Sequence, residues 1–391
     1  MKYMLFGIGA GGNKAAINVL KKGYLSEENV KILNTSTKDI PEEYKVNSDL
    51  AVHFSSMFGG CGKEPLKGKK AIINAIKNGN IKFGEMIDPD TQAVIIVTTT
   101  EGGTGCGATP VIANYFVKLN LPVHVFALIG FQDEARGINN TLRFFRELDS
   151  NVILHTIKNE EFLDYSKNYS KAEALANDEF AEQVRILSGK DMIPSHQNID
   201  DTDMYKVATT SGYMNVQHVS LDKVKNVDLF NKAIQESFEN IKCLDFDKSA
   251  LRLAVIINAK PETQTHIDDK FEVIKRYIGE PYEKFRHIQY DETQPEYIDI
   301  ISCGMNFPEQ GIRDLNDKYM DIKDKLNSDH KSFDDIFADI DLDDEDDEFD
   351  VKMRKMKNPD EIDALFSNLD EEDKPATRKV SKVTTSSDNE Y

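Results

Sequence analysis

The sequence predicts an α/β protein built on a parallel sheet with helices on both faces. Three observations lead there. Short apolar runs alternate with helix-period segments over residues 1–150. The strand candidates, above all AVIIVT at 93–98, are continuously apolar, as strands buried on both faces are. Two of the strand-to-helix turns are glycine-rich, which parallel α/β units use at the carboxyl ends of their strands.

The elements follow in order. Strands are expected at residues 2–6, 30–33, 93–98, 123–129 and 152–157, with helices at 14–22, 69–77, 108–119 and 140–148. A helix over about 171–188 puts Phe180, Val184 and Leu187 on one face before Gly189 and Pro194 interrupt it. A second region holds a helix at 229–240, a strand at 251–258, a helix at 270–277 and a strand at 297–303. One more helix runs from 309 to about 326. Beyond Ser328 the chain turns to acidic runs and a Ser/Thr/Lys end, a composition that reads as disorder.

Composition narrows the function. The net charge of −20 argues against non-specific DNA binding by the folded body, since phosphate contacts need clustered Lys and Arg. No run approaches the roughly 20 apolar residues of a membrane span, and the opening residues lack a signal-peptide pattern, so a cytoplasmic location is expected. The four cysteines, Cys61, Cys106, Cys243 and Cys303, have no CxxC spacing and read as reduced thiols.

The first glycine turn, GIGAGGN at 7–13, fits GxGxxG at Gly7, Gly9 and Gly12. Glycines there let a phosphate approach a helix N-terminus, although a plain tight turn would also use them. A dinucleotide site would want an acid at the end of the next strand, where Asn34, Thr35 and Ser36 stand instead. Residues 59–64 are not a Walker loop, because Glu64 follows Lys63. The second turn, EGGTGCG at 101–107, packs four glycines into 102–107, and Thr104 adds a hydroxyl. Two such turns on neighbouring strands would face one crevice.

GGTGCG after a buried strand resembles the tubulin/FtsZ signature GGTGxG. Further segments follow in the family's order: GIGAGGN with Asn13, LNTS at 33–36, GCGKEP at 60–65, GFQDE at 130–134, AND at 176–178 and NIDDTD at 198–203. The LNTSTKD and GCGKE runs resemble the plasmid and phage members, the TubZ type. Glu101 departs from the pattern, standing where a small residue is usual, and Gly130 replaces a proline.

The resemblance implies a Rossmann-type parallel-sheet GTPase domain over 1–176 and a central helix at 177–197. It places a second α/β activation domain at 198–306, a C-terminal helix at 307–328 and a disordered acidic tail at 329–391. It implies GTP or GDP held by Gly9, Ala10, Gly11, Gly12, Asn13, Asn34, Cys61, Gly62, Gly102, Gly103, Thr104, Gly105, Cys106 and Gly107. Glu134 would take the ribose, Arg136 a phosphate or the ribose, and Asn177 and Asp178 the base. Mg²⁺ is expected through phosphates and water, with no protein ligand assigned. Asn198, Asp200 and Asp203 would act on the GTP of the next subunit in a head-to-tail polymer.

On the residues alone, Asp178 suits the paired N–H donors of guanine, yet Asn177 and Asp178 also suit helix capping or a solvated face. NIDDTD also suits an acidic N-cap. In the tail, IFADID at 336–341 and LFSNLD at 365–370 are near copies, readable as a docking motif for an adaptor or as chance. A DNA-segregating filament, a cell-division ring protein and a non-polymerising nucleotide-binding regulator are the three functional readings.

Overall fold

A computed structural model describes residues 1–47, 49–55, 59–195 and 197–329. The expected tail motifs lie outside the described residues.

The chain opens with β1 (Tyr3–Ile8) and passes directly into α1 (Gly9–Lys21). Next come β2 (Val30–Asn34), β3 (Ala51–His53), α2 (Pro65–Lys77), β4 (Ala93–Thr99), α3 (Gly103–Lys118) and β5 (Val123–Ile129). Then follow α4 (Ala135–Glu147), β6 (Ile153–Lys158) and the long α5 (Tyr169–Ser188). The second half holds α6 (Asp201–Ala208), β7 (Gly212–Ser220), α7 (Val227–Glu239) and β8 (Arg252–Asn258). It ends with α8 (Glu272–Ile278), β9 (Glu283–Gln289), β10 (Tyr297–Met305) and α9 (Glu309–Asp329).

All ten strands join one sheet in the order β3-β2-β1-β4-β5-β6-β7-β10-β8-β9. From β3 to β7 neighbours are parallel, whereas β10 is antiparallel to both β7 and β8. The halves meet at β6 and β7 through only Ile153↔Gly212 and Leu154↔Tyr213. The continuous apolar strands are buried on both faces. β1 sends Met4, Phe6 and Ile8 into a core shared with α2, α3 and α7, and Tyr3 and Leu5 into one shared with α1 and α5. A smaller cluster of Ala135, Ile138, Leu315 and Tyr319 docks α9 on α4.

Three expectations change. Helix α3 starts at Gly103 rather than Ala108, because the glycine segment itself forms the first turns. The central helix runs over Tyr169–Ser188 and not 177–197, so the 176–178 motif lies mid-helix. Asn168 caps its start, accepting from Lys171 N at 3.0 Å, and Gly189 ends it in the left-handed conformation at φ 65. Finally, β7 and β9 were not expected as strands. Polar Asn215 and Gln217 interrupt the apolar pattern of β7, and β9 is a charged edge strand.

Candidate functional site

The strands β1 and β4 are adjacent and parallel, so their carboxyl ends deliver the N-termini of α1 and α3 to one place. The two turns interlock closely. A Cβ on Gly9, whose φ is 74, would come within 3.1 Å of Gly105 N. Glycine is what lets the two helix heads meet. Each helix presents free N–H groups and the positive end of its dipole to the space above, a setting that favours anions.

A cleft of about 260 Å³ opens there. Its walls include Ala10, Gly11 and Lys14 from α1, Glu101 and Gly102 before α3, Gly130 and Phe131 after β5, and Glu173 and Asn177 on α5. Lys63 and Asn159 complete it. Asn159 is 5% exposed and its Oδ1 has no partner among the described residues. Asn13, 1% exposed, likewise has both amide atoms unpartnered. Buried amides are normally satisfied, so the open oxygen of Asn159 in the cleft wall fits a polar ligand there.

The cleft's cations are tied to its acids. Lys14 lies 3.7 Å from Glu173. Lys63 pairs with Glu134, and its backbone, at φ 60, is fixed by its carbonyl. That oxygen accepts from Arg136 Nε at 3.2 Å and Asn140 Nδ2 at 3.1 Å. Burial holds the Glu101 carboxyl above the usual range, against the pull of the Gln132 N–H and Lys63.

The 198–203 segment lies elsewhere. Asp201 lines a hollow with Met1, Lys2 and Tyr3, beside the amino end of β1, whereas the cleft stands past its carboxyl end. The six residues of β1 separate the two by roughly 17 Å at about 3.3 Å per residue. Asp200 is the N-cap of α6, accepting from Asp203 N at 2.8 Å, and Asn198 Oδ1 accepts from Ser195 N at 2.7 Å.

No family model matches the chain. It is 26% identical over 322 residues to the tubulin-like protein CetZ of Pyrococcus horikoshii, covering 77% of this chain and 85% of that protein. It is 24% identical over 212 residues to the cell division protein FtsZ of Aquifex aeolicus, covering 52% of this chain and 55% of that one. Its fold is similar to a GTPγS-form protofilament of Bacillus thuringiensis serovar israelensis TubZ, with a TM-score of 0.65 at 15% identity, covering 84% and 94% of the two chains. The chain is thus similar in sequence and in fold to members of the tubulin/FtsZ superfamily.

With the tubulin-like fold in place, the sequence-derived residues sort into groups. Gly9, Ala10, Gly11, Gly12 and Asn13 form the head of α1, while Gly102, Gly103, Thr104, Gly105 and Gly107 form that of α3. Thr104 Oγ1 lies 2.6 Å from Thr35 Oγ1, which in turn lies 3.4 Å from Cys61 Sγ, so the 61–62 turn is sewn to the α3 head. Glu134 stands at the N-cap position of α4, its side chain turned to Lys63 instead of the helix, and Arg136 sits in the first turn. Asn34 is buried at the end of β2, its Oδ1 accepting from Thr35 N.

Two side chains are corrected. Asp178 does not line the cleft: its Oδ1 takes Lys22 at 2.7 Å and Asn18 at 3.0 Å, near the far end of α1. Burial opposes ionisation of this carboxyl, but Lys22 and Asn18 outweigh it and hold it below the usual range. The adjacent position on a helix faces about 100° away, so Asn177 reaches the cleft and Asp178 cannot. Cys106 buries its thiol against the Asn140 carbonyl at 3.1 Å, and burial pushes its pKa up. Sequence reasoning missed Lys14, Asn159 and Glu173. Asn159 directly follows β6, another carboxyl strand end, and Glu173 stands four residues before Asn177 on the same helix face, so position in the fold was the signal for both.

Proposed function

We propose that the protein is a filament-forming cytoskeletal GTPase that binds GTP in the cleft and hydrolyses it at a head-to-tail subunit contact. The observation that carries this reading is the placing of the cleft and the 198–203 segment at opposite ends of β1. One subunit cannot bring Asp200 and Asp203 to its own cleft, whereas stacked subunits can. Such a contact is heterologous and leads to an open filament.

In this reading the heads of α1 and α3 hold the phosphates, with Lys14 and Lys63 adding charge. Glu173 accepts the paired N–H groups of guanine, and Asn177 and Asn159 supply amides to its other edge. Glu134 and Arg136 face the ribose. Mg²⁺, if bound, would be held by phosphate oxygens and water. When bound, it offsets phosphate charge. Asn198, Asp200 and Asp203 orient the attacking water for a γ-phosphate on the neighbouring subunit.

The likeness to TubZ supports a finer role in moving or positioning plasmid or phage DNA, with residues 329–391 capturing an adaptor protein in the cytoplasm. The likeness to FtsZ supports the alternative, a division-ring protein. Electron microscopy of the purified protein with GTP, GDP and a slowly hydrolysed analogue tests the core of the proposal. Filaments with GTP and the analogue, and none with GDP, are expected. Guanine-nucleotide binding without any polymer would favour the non-polymerising regulator.

A further inference from the structure

Glu101 immediately precedes the cap of α3, on the phosphate side of the cleft. Its side chain is partly buried and runs under the segment 130–134. A Cβ built on Gly130 would stand 2.1 Å from Glu101 Oε2, and one on Gly137 would stand 3.1 Å from its Cδ. A side chain at 130 would have to push the flexible end of Glu101 aside. The carboxylate therefore occupies the room that a side chain at 130 would need, with Gly137 as the opposite wall. It accepts the backbone N–H of Gln132, itself held at φ 53. At the far end of the same segment Glu134 pairs with Lys63. The segment is thus fastened at one end to the α3 head and at the other to the loop before α2.

A carboxylate here has an electrostatic cost. It shares the neighbourhood with Asp133 and Glu134, and Lys63 is the cation that pulls on it. An anion bound at the α3 head would feel its repulsion. What the contact supplies is geometry: an acceptor of the right reach in a slot made by two glycines.

We propose that Glu101 is a positioning residue of the nucleotide site. Keyed between Gly130 and Gly137, it locks the 130–134 segment to the head of α3, so the sugar-facing and phosphate-facing walls of the cleft move as one body. The proposal rests on the nucleotide reading of the cleft, but the lock itself is measurable without nucleotide.

Wild type, Glu101→Ala, Glu101→Gln, Gly130→Ala and the double variant Glu101→Ala/Gly130→Ala are compared by two readouts. One is amide hydrogen exchange over residues 128–136 in nucleotide-free protein, and the other is calorimetric affinity for GDP. Glu101→Ala should speed exchange at Gln132 about tenfold and weaken GDP binding about tenfold. Glu101→Gln keeps an acceptor oxygen and sheds the charge, so exchange stays slow and GDP binds as tightly as to wild type or tighter. Gly130→Ala should resemble Glu101→Ala, and the double variant should lose nothing further, because both changes open the same lock.

Wild-type exchange in Glu101→Ala would overturn the proposal. So would additive losses in the double variant, or Glu101→Gln behaving like Glu101→Ala, which would make charge and not reach the operative property. Absence of GDP binding by wild type would overturn the nucleotide reading, and the exchange data would still decide the lock.

Discussion

The guanidinium of Arg185 on α5 donates to the carboxylate of Asp299 on β10, 3.1 Å away and 114 residues along the chain. Asp299 is 1% exposed, and its other oxygen accepts from His218 Nδ1 at 2.7 Å, with the ring in the tautomer or charge state that donates there. Arg185 also reaches Glu182 at 2.6 Å and Asp191 at 2.7 Å. The long helix beside the cleft is thereby pinned to the second half of the sheet.

Arg185→Met should therefore destabilise the protein by about 1–3 kcal/mol, because it strips one oxygen of a buried carboxylate of its partner while His218 still holds the other. Adding Asp299→Leu should recover part of that loss. Urea denaturation of the two variants and wild type measures both steps; a double variant no better than the single would mean the pairing carries little of the energy.

The core also holds a titratable weak point. His124 Nδ1 and His155 Nε2 are 3.0 Å apart with no water access, and His155 stacks on Phe126 at 3.9 Å between centroids. Burial lowers the His124 pKa to about 4 and drives that of His155 well below its ordinary value, with His124 adding to the effect. A depressed folded pKa means the unfolded chain binds more protons, so stability is full above about pH 6.5 and falls as pH drops toward 4. The loss is on the order of 3 kcal/mol for His124 alone, at about 1.36 kcal/mol per pKa unit. Replacing both rings by Leu removes both polar partners at once and should flatten the melting temperature between pH 6.5 and 4.5.

Base recognition divides neighbouring residues on α5. Glu173→Ala or Asn177→Ala should erase a preference for GTP over ATP of at least roughly tenfold, about 1.4 kcal/mol. Asp178→Ala should leave nucleotide affinity intact and cost no more than about 1 kcal/mol of stability, the worth of a half-exposed ion pair. Calorimetric titration with each nucleotide distinguishes them, and base selectivity lost in the Asp178 variant would return that residue to the site.

The acids before and within α6 should separate binding from hydrolysis. Asp203→Ala is expected to keep GTP affinity and lose turnover by about 10²-fold or more. Asp200→Ala should do the same and also cost about 1 kcal/mol for the lost helix cap. Wild-type turnover plotted against protein concentration should show a threshold, and mixing in the variant should depress activity more than dilution does. A rate strictly proportional to concentration, without a dominant effect, would place the whole site in one chain.

The parallel half of the fold was legible because its strands are apolar on both faces; β5 was expected with its observed bounds, Val123–Ile129. The glycine turns were legible for the same local reason, since close approach leaves a residue-type trace. What stayed hidden depends on position in three dimensions. Nothing in the run Ala176-Asn177-Asp178 says which polar side chain faces the cleft; that is fixed by how α5 lies along α1, through Lys14–Glu173 and Lys22–Asp178. Asn159 carries no motif of its own. The departures at Glu101 and Gly130 look unrelated in sequence, 29 positions apart by their numbers, and become one feature only when the carboxylate is seen filling the space at 130.

The seam between β6 and β7, with its two paired residues, also has a mechanical meaning. Tension applied across the ends of the molecule passes through that short ladder, along α5, which spans the same joint and is fastened beyond it by Arg185, and through the docking of α9 on α4. A long ladder is stiff in its own plane, whereas two residue pairs give little resistance to bending. The joint is therefore a short ladder with α5 as a strut beside it and α9 as a second brace. In a chain of such units, curvature would accumulate at these joints, and the strut would set how much elastic strain each unit stores.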